Sequence, residues 1–263
     1  MYRCPVCHAP LIADLSGYTC QNKHHFDRAK DGHLHLLSTH HHKDRGDNRE
    51  LIQARHRFLN ASHYQPIEKQ LIAILNRYPF QTLLDGGCGE GSYTKSIAQQ
   101  FSNITLIGMD LSKEGLKMAV KQAPSVHYIN ASLADIPLMD HSVDGMISLF
   151  TPVYEKEFAR VLNANGFLII GQPNVNHLIQ LKQALYPKVI LNTPKTLETN
   201  FRHVERIEVN YDLCLSQSDL ADLIDMTPYA YTSNPLALQK VKDLDSLTIT
   251  VDVLLDVYQL KHS

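Results

Sequence analysis

Cys4 and Cys7, followed by Cys20 and His24, give the spacing C-x2-C-x12-C-x3-H within the first 24 residues. Two cysteines separated by two residues form a knuckle that grips one side of a tetrahedral ion, and a second pair closes the other side. Four protein ligands leave no position for water, so the zinc implied by this spacing is structural. The segment spanning residues 1–37 has too small a core to fold well alone, and the ion supplies the missing stabilisation. His8, His25, His33 and His35 compete with His24 for the fourth position. His25 is the nearest rival, and His24 fits the spacing better. The His40-His41-His42 run reads as a solvated loop, and Cys88 and Cys214 read as small buried residues.

A second constellation, Leu84-Asp85-Gly86-Gly87-Cys88-Gly89-Glu90-Gly91, sits where an apolar run ends and a helical stretch begins. In a doubly wound sheet that turn lies at the carboxyl edge, where ligands bind. Glycine there lets the backbone approach a ligand without a Cβ clash. Dinucleotide enzymes use a related turn, but here Ser92 stands in place of their third glycine. Asp85 would repel a pyrophosphate and suit a cationic amino-acid nucleoside. The following strand ends in Met109-Asp110-Leu111-Ser112, and a carboxylate at that place accepts hydrogen bonds from ribose hydroxyls. These features point to S-adenosylmethionine, bound around Asp85, Gly87, Gly89, Gly91, Asp110 and Leu111. Asn130 closes the third strand, where it either contacts the adenine or caps the next element.

Beyond the fourth strand, Phe150-Thr151-Pro152-Val153-Tyr154-Glu155 faces the expected point of methyl transfer. Phe150 or Tyr154 could stack on a planar acceptor. Glu155 could take a proton from it, or simply start a helix near its positive dipole end. No catalytic residue is assigned.

The elements that must hold these groups follow from the apolar periodicity. Leu51, Arg55, Phe58 and Leu59 have helical spacing, as do Ile67, Leu71, Ile74 and Leu75. Strand-like runs at 82–87, 103–110, 126–131, 143–150 and 166–173 alternate with helical stretches, among them 113–123 and 155–162. That alternation predicts an α/β fold, a doubly wound and mostly parallel sheet covered on both faces. β-rich segments at 204–216 and 247–258 could close one edge, and Asn163-Ala164-Asn165-Gly166 reads as a turn before the fifth strand. The chain divides into a zinc module (1–37), a polar linker with a connecting helix (38–60) and a cofactor domain (61–263). Residues 1–58 carry nine Lys+Arg against six Asp+Glu, whereas the whole chain has a net charge of −2. A mildly basic module on an acidic body suits a polyanionic partner. The chain lacks an apolar run of the roughly 20 residues needed to cross a bilayer and an export signal at its start. The expected location is cytoplasmic, with no membrane partner.

With both constellations in view, the chain resembles the RlmA family of 23S rRNA guanine-N1 methyltransferases. The resemblance is carried by Cys4-Pro-x-Cys7, Cys20-x3-His24, Phe26-Asp27-x-Ala29-Lys30-x-Gly32 and Gln53-Ala54-Arg55. It continues through His63-Tyr64-Gln65-Pro66, the glycine turn and Met226-Thr227-Pro228. It implies a Rossmann-like class I methyltransferase domain behind a zinc-binding, RNA-engaging module whose ligands are Cys4, Cys7, Cys20 and His24. It further implies cofactor contacts at Tyr64, Gly89, Glu90 and His177, a homodimer, and a 23S rRNA hairpin as partner. Two other readings compete: a small-molecule methyltransferase, and a non-catalytic RNA-binding protein that has kept the cofactor fold.

Overall fold

A computed structural model of the chain describes residues 1–14, 16–37 and 47–261. The His40-His41-His42 run and most of the polar stretch at 38–49 lie outside the described residues. The N-terminal module contains an antiparallel sheet of β1 (Leu11–Ala13), β2 (Gly17–Cys20) and β3 (His25–Asp27), joined in that order. Asp14 fixes its first turn by accepting from the Ser16 and Gly17 amides, both at 2.9 Å. The chain then forms β4 (Leu34–His35), which leaves this small sheet and joins the large one.

Two helices follow, α1 (Arg49–Asn60) and α2 (Gln65–Leu75), which bury Phe58 and Ile67, Leu71, Ile74 and Leu75. The Asn48 side chain caps α1 by accepting from the Leu51 amide at 2.9 Å. Strands and helices then alternate: β5 (Thr82–Gly86), α3 (Ser92–Gln100), β6 (Thr105–Asp110), α4 (Lys113–Gln122), β7 (His127–Asn130), β8 (Val143–Leu149), α5 (Glu155–Val161) and β9 (Leu162–Pro173). The chain ends with α6 (Ile179–Leu185), β10 (Phe201–Ser216), α7 (Gln217–Asp225), α8 (Tyr229–Thr232), α9 (Pro235–Lys242) and β11 (Ser246–Leu260). The sheet order is β10-β11-β9-β8-β5-β6-β7-β4. Strands β4 to β9 pair in parallel, and β11 runs antiparallel to both β9 and β10. The near-continuous burial of β5, β6 and β8 is that of a parallel sheet covered on both faces. Strand order reverses at β5, which has β6 on one side and β8 on the other. Its carboxyl end is therefore the switch point where a ligand crevice opens. Among the described residues no helix is long and apolar enough to cross a membrane.

Two local expectations change. Asn163-Ala164-Asn165-Gly166 belongs to β9, where the pairing with β8 shifts register, and neither Asn165 nor Gly166 has a positive φ. Cys214 is exposed rather than buried, because β10 is the outer strand of the sheet, and Cys88 is half-buried. The zinc module packs into the large sheet, in keeping with its small core. Tyr2, Leu11, Leu34 and Leu36 share one apolar core with Leu84, Ile107, Met109 and Ile129 of the large sheet. The Arg3 amide donates to the Pro137 carbonyl at 2.9 Å, and its guanidinium donates to Asp135 at 2.8 Å.

A shared core should melt as one unit. Leu36→Ala is expected to cost roughly 2–5 kcal/mol, as for other fully buried leucines, and to leave a single denaturant transition. Two resolved transitions, the first confined to the module, would contradict this.

Candidate functional site

The two metal-ligand pairs sit on two tight turns. The His8 amide donates to the Cys4 carbonyl and the Lys23 amide to the Cys20 carbonyl, both at 2.9 Å. His8 and Lys23 complete these turns in the left-handed region, with φ of 60° and 64°. The turns bring Cys4, Cys7, Cys20 and His24 together, with their ligand atoms all within 4.8 Å of one another. Cys7 Sγ lies 3.6 Å from Cys20 Sγ, and His24 Nδ1 lies 3.5 Å from Cys4 Sγ and 3.4 Å from Cys20 Sγ. A tetrahedral zinc with bonds of about 2.3 Å to sulfur needs ligand separations of about 3.7 Å, so the set fits a closed, structural ion. Three of the rival histidines have partners elsewhere. His25 bonds Thr19 at 2.7 Å and Asp27 at 3.0 Å, His33 pairs with Asp31 at 2.8 Å, and His35 meets Asn130 at 2.6 Å.

The glycine turn closes the β5 end of the crevice. Gly87, Gly89 and Gly91 have φ of +81°, +58° and +90°, a region that side chains disfavour. At Gly87 a Cβ would also lie 2.2 Å from Thr151 Cγ2, so this turn and the loop after β8 are packed edge to edge. The Asp110 carboxylate braces the turn, accepting from the Gly89 amide at 2.9 Å and the Ser112 amide at 2.7 Å. Asp85 is buried and accepts from Thr94 Oγ1 at 2.5 Å. Burial, only partly offset by Thr94 and reinforced by the charges of Asp110 and Glu90, pushes its carboxyl up to about 6. Burial also raises Asp110, against the pull of the two amides. Desolvated acids beside the glycine turn suit a ligand that carries positive charge, as S-adenosylmethionine does. Glu90 turns back onto α3, accepting from the Ser92 amide at 2.9 Å and the Ser92 hydroxyl at 2.6 Å.

Asn130 serves as a strap. Its fully buried amide donates to the carbonyls of Asp110 at 3.0 Å and Leu111 at 2.8 Å, and its oxygen faces His35 Nδ1 at 2.6 Å. The side chain thus holds the β6 loop from behind, and through His35 it ties that loop to β4 of the zinc module.

Tyr64, Phe150 and His177 meet at the other end of the crevice. Phe150 and His177 stack at 6.2 Å between ring centres, and Tyr64 lies 6.4 Å from each. Phe150 is 41% exposed yet holds φ at +57°, pinned by its amide donating to the Gly171 carbonyl at 2.8 Å. An aromatic residue in that region stores strain of a kind that clusters at functional sites. His177 Nδ1 accepts the Asp252 amide at 3.2 Å, which leaves Nε2 as the donating nitrogen, and burial pushes the ring down to about 4. Glu155 accepts the Asn200 amide at 2.6 Å at the start of α5, so its carboxylate has a structural task. Arg55, to which the sequence reading gave no role, pairs with Asp47 at 2.8 Å and would come within 3.2 Å of a Cβ at Gly89.

Comparison with known proteins agrees with both parts. Residues 2–45 match the family model described as RlmA, N-terminal, a zinc ribbon, and residues 83–166 match a methyltransferase domain. A Bacillus subtilis protein provisionally named a 23S rRNA (guanine-N1)-methyltransferase is 29% identical over 96% of this chain and 95% of its own length. A Micromonospora griseorubida protein with the same provisional name is 28% identical over 98% and 96%. The 23S rRNA (guanine(748)-N1)-methyltransferase of Streptomyces fradiae is 26% identical over 89% and 86%. The resemblance to the RlmA family therefore stands at both ends of the sequence reading: the chain is an S-adenosylmethionine-dependent methyltransferase of the class I fold with an N-terminal zinc ribbon.

Two outcomes are expected. His35→Ala takes a partner from the buried Asn130 oxygen, at a cost of roughly 1–3 kcal/mol. It should weaken S-adenosylmethionine binding in calorimetry while zinc content stays at one ion per chain, and an unchanged affinity would show that the strap is idle. The second concerns pH. A cationic ligand binds best to ionised Asp85, so affinity should strengthen as pH rises through about 6 and level off above it. A flat affinity between about pH 5 and 7.5 would contradict this.

Proposed function

We propose that the chain transfers a methyl group from S-adenosylmethionine to N1 of an unpaired guanine in a hairpin loop of 23S rRNA. The observation that carries this reading is the order of parts: a zinc ribbon built into a methyltransferase sheet, aligned end to end with relatives named for that reaction. A small-molecule methyltransferase leaves the ribbon without a use, and a non-catalytic RNA-binding protein leaves the intact Asp85, glycine turn and Asp110 without one. The homodimer implied by the RlmA resemblance is part of the proposal, with sedimentation as its test.

S-adenosylmethionine supplies an electrophilic methyl group when bound, so the protein's work is to align the acceptor and exclude water. Guanine N1 lies on the pairing edge and must be unstacked or already single-stranded to reach the site. The exposed face of Phe150 gives such a base a stacking platform, an interaction worth about 1–3 kcal/mol per base. The N1 lone pair becomes available as its proton leaves. His177, neutral and donating through Nε2, is a hydrogen-bond donor rather than a base, and Glu155 is already engaged. Loss of the proton to solvent fits this arrangement, and the rate should then climb with pH across the neutral range.

The test is incubation of unmodified 23S rRNA with enzyme and labelled cofactor, followed by nucleoside analysis. The label is expected in 1-methylguanine, and Phe150→Ala should slow its appearance while cofactor binding is retained. Label in 7-methylguanine, in a ribose methyl or only in a small metabolite would overturn the reading.

A further inference from the structure

We propose that a basic groove between the zinc module and α4 is the track along which the RNA backbone approaches the cofactor site; this rests on the rRNA reading above. The groove has a volume of about 640 Å³. One wall is the segment after β3, with Arg28 and Lys30, and the other is α4, with Lys113, Lys117 and Lys121. Lysines at i, i+4 and i+8 lie on one helix face, about 6 Å apart along the axis. All three are exposed, as are Arg28 and Lys30.

Two acids also line the groove, Asp31 facing His33 at 2.8 Å and Asp27 facing His25 at 3.0 Å, and the five cations outnumber them. Lys117 carries an exposed pair to Glu114 at 2.7 Å, a contact that phosphate can displace at little cost, since such pairs contribute about 0–1 kcal/mol. Arg28 is held in place, with its guanidinium 5.2 Å over the Tyr18 ring and donating to the Tyr18 hydroxyl at 3.0 Å. Residues beyond 58 carry a net charge of −5, so this row of cations does not follow from the composition of the body.

The direction of the row identifies the partner. Lys113 follows Ser112, whose amide is bonded to Asp110, so one end of the groove opens at the ribose end of the cofactor crevice. The other end runs to Lys121, along the outside of the sheet. A single small anion needs only one end of such a row; a polynucleotide strand, with charge at regular intervals, engages all of it. The zinc module supplies one wall, so the ion that orders the module also sets the width of the track.

The test uses the full-length, zinc-loaded protein and an unmodified 23S rRNA hairpin fragment, with binding measured by anisotropy across a salt series. Three double variants are compared: Lys113→Ala with Lys121→Ala, Arg28→Ala with Lys30→Ala, and, as a control away from the groove, Lys69→Ala with Lys240→Ala. Each phosphate contact contributes about 0.7–0.9 to the slope of log K against log salt. Each groove variant should therefore lower that slope by about 1–2 and raise KM for RNA several-fold. Cofactor affinity, zinc content and kcat at saturating RNA should be retained, and the control should behave like the parent. Parent-like slopes in both groove variants, or an equal loss in the control, would overturn the proposal. If slopes fall as expected but no 1-methylguanine is formed, the track stands and the guanine-N1 reading fails. If 1-methylguanine forms and the slopes do not move, the track alone fails.

Discussion

The hydrogen bond from the Leu36 amide to the Asn130 carbonyl, at 3.0 Å, marks the constraint on which the rest depends. A parallel sheet that ended at β7 would leave a row of unpaired backbone groups beside the cofactor crevice. The chain satisfies that edge with β4, two residues drawn from the zinc module. Once β4 is in place, Leu34 and Leu36 fill the apolar layer under β6 and β7. Burial of each leucine contributes about 1.5–3 kcal/mol. His35 then reaches Asn130, and Asn130 holds the loop that carries Asp110. The zinc module, the sheet edge and the Asp110 loop form one continuous set of contacts. The module is thus a structural part of the methyltransferase sheet.

Electrostatics at the other side of the crevice follow from the same packing. The loops that β5 and β6 present are tight enough to desolvate Asp85 and Asp110, and a desolvated pair of acids gains most from a cationic ligand. His177 is the opposite case, a buried ring kept neutral and fixed in one tautomer by the Asp252 amide. The crevice therefore has an acidic end at Asp85 and Asp110 and a neutral aromatic end formed by Tyr64, Phe150 and His177.

Much of this was legible in the sequence because the signals were local. Ligand spacing identified Cys4, Cys7 and Cys20. It favoured His24 over His25, and the structure gives the reason: His25 opens β3 and is drawn into bonds with Thr19 and Asp27. The glycine turn and Asp110 were readable because a βαβ unit fixes the distance between them. Strand β4 was not readable, since two residues carry no usable periodicity, although the His33-Leu34-His35-Leu36 alternation was a faint sign. Asn130 was left between a ligand contact and a cap because its partners lie 95, 20 and 19 residues away in the chain. Phe150 and Tyr154 looked equivalent; only the left-handed backbone of Phe150 and its contact with His177 separate them. Cys214 was misread because burial of a single cysteine depends on which strand takes the outer place.

Amide hydrogen exchange at Leu36 and Ala131, followed in the full chain with zinc bound and after chelation, tests most directly whether module and cofactor site are one unit. The Leu36 amide bonds β4 to β7, and the Ala131 amide bonds the end of β7 to Asp110 at 3.1 Å. The account expects both to lose protection together when zinc is removed, because the ion holds β4 and β4 holds the strap. Free exchange confined to the metal-binding turns, with Ala131 still protected, would contradict it.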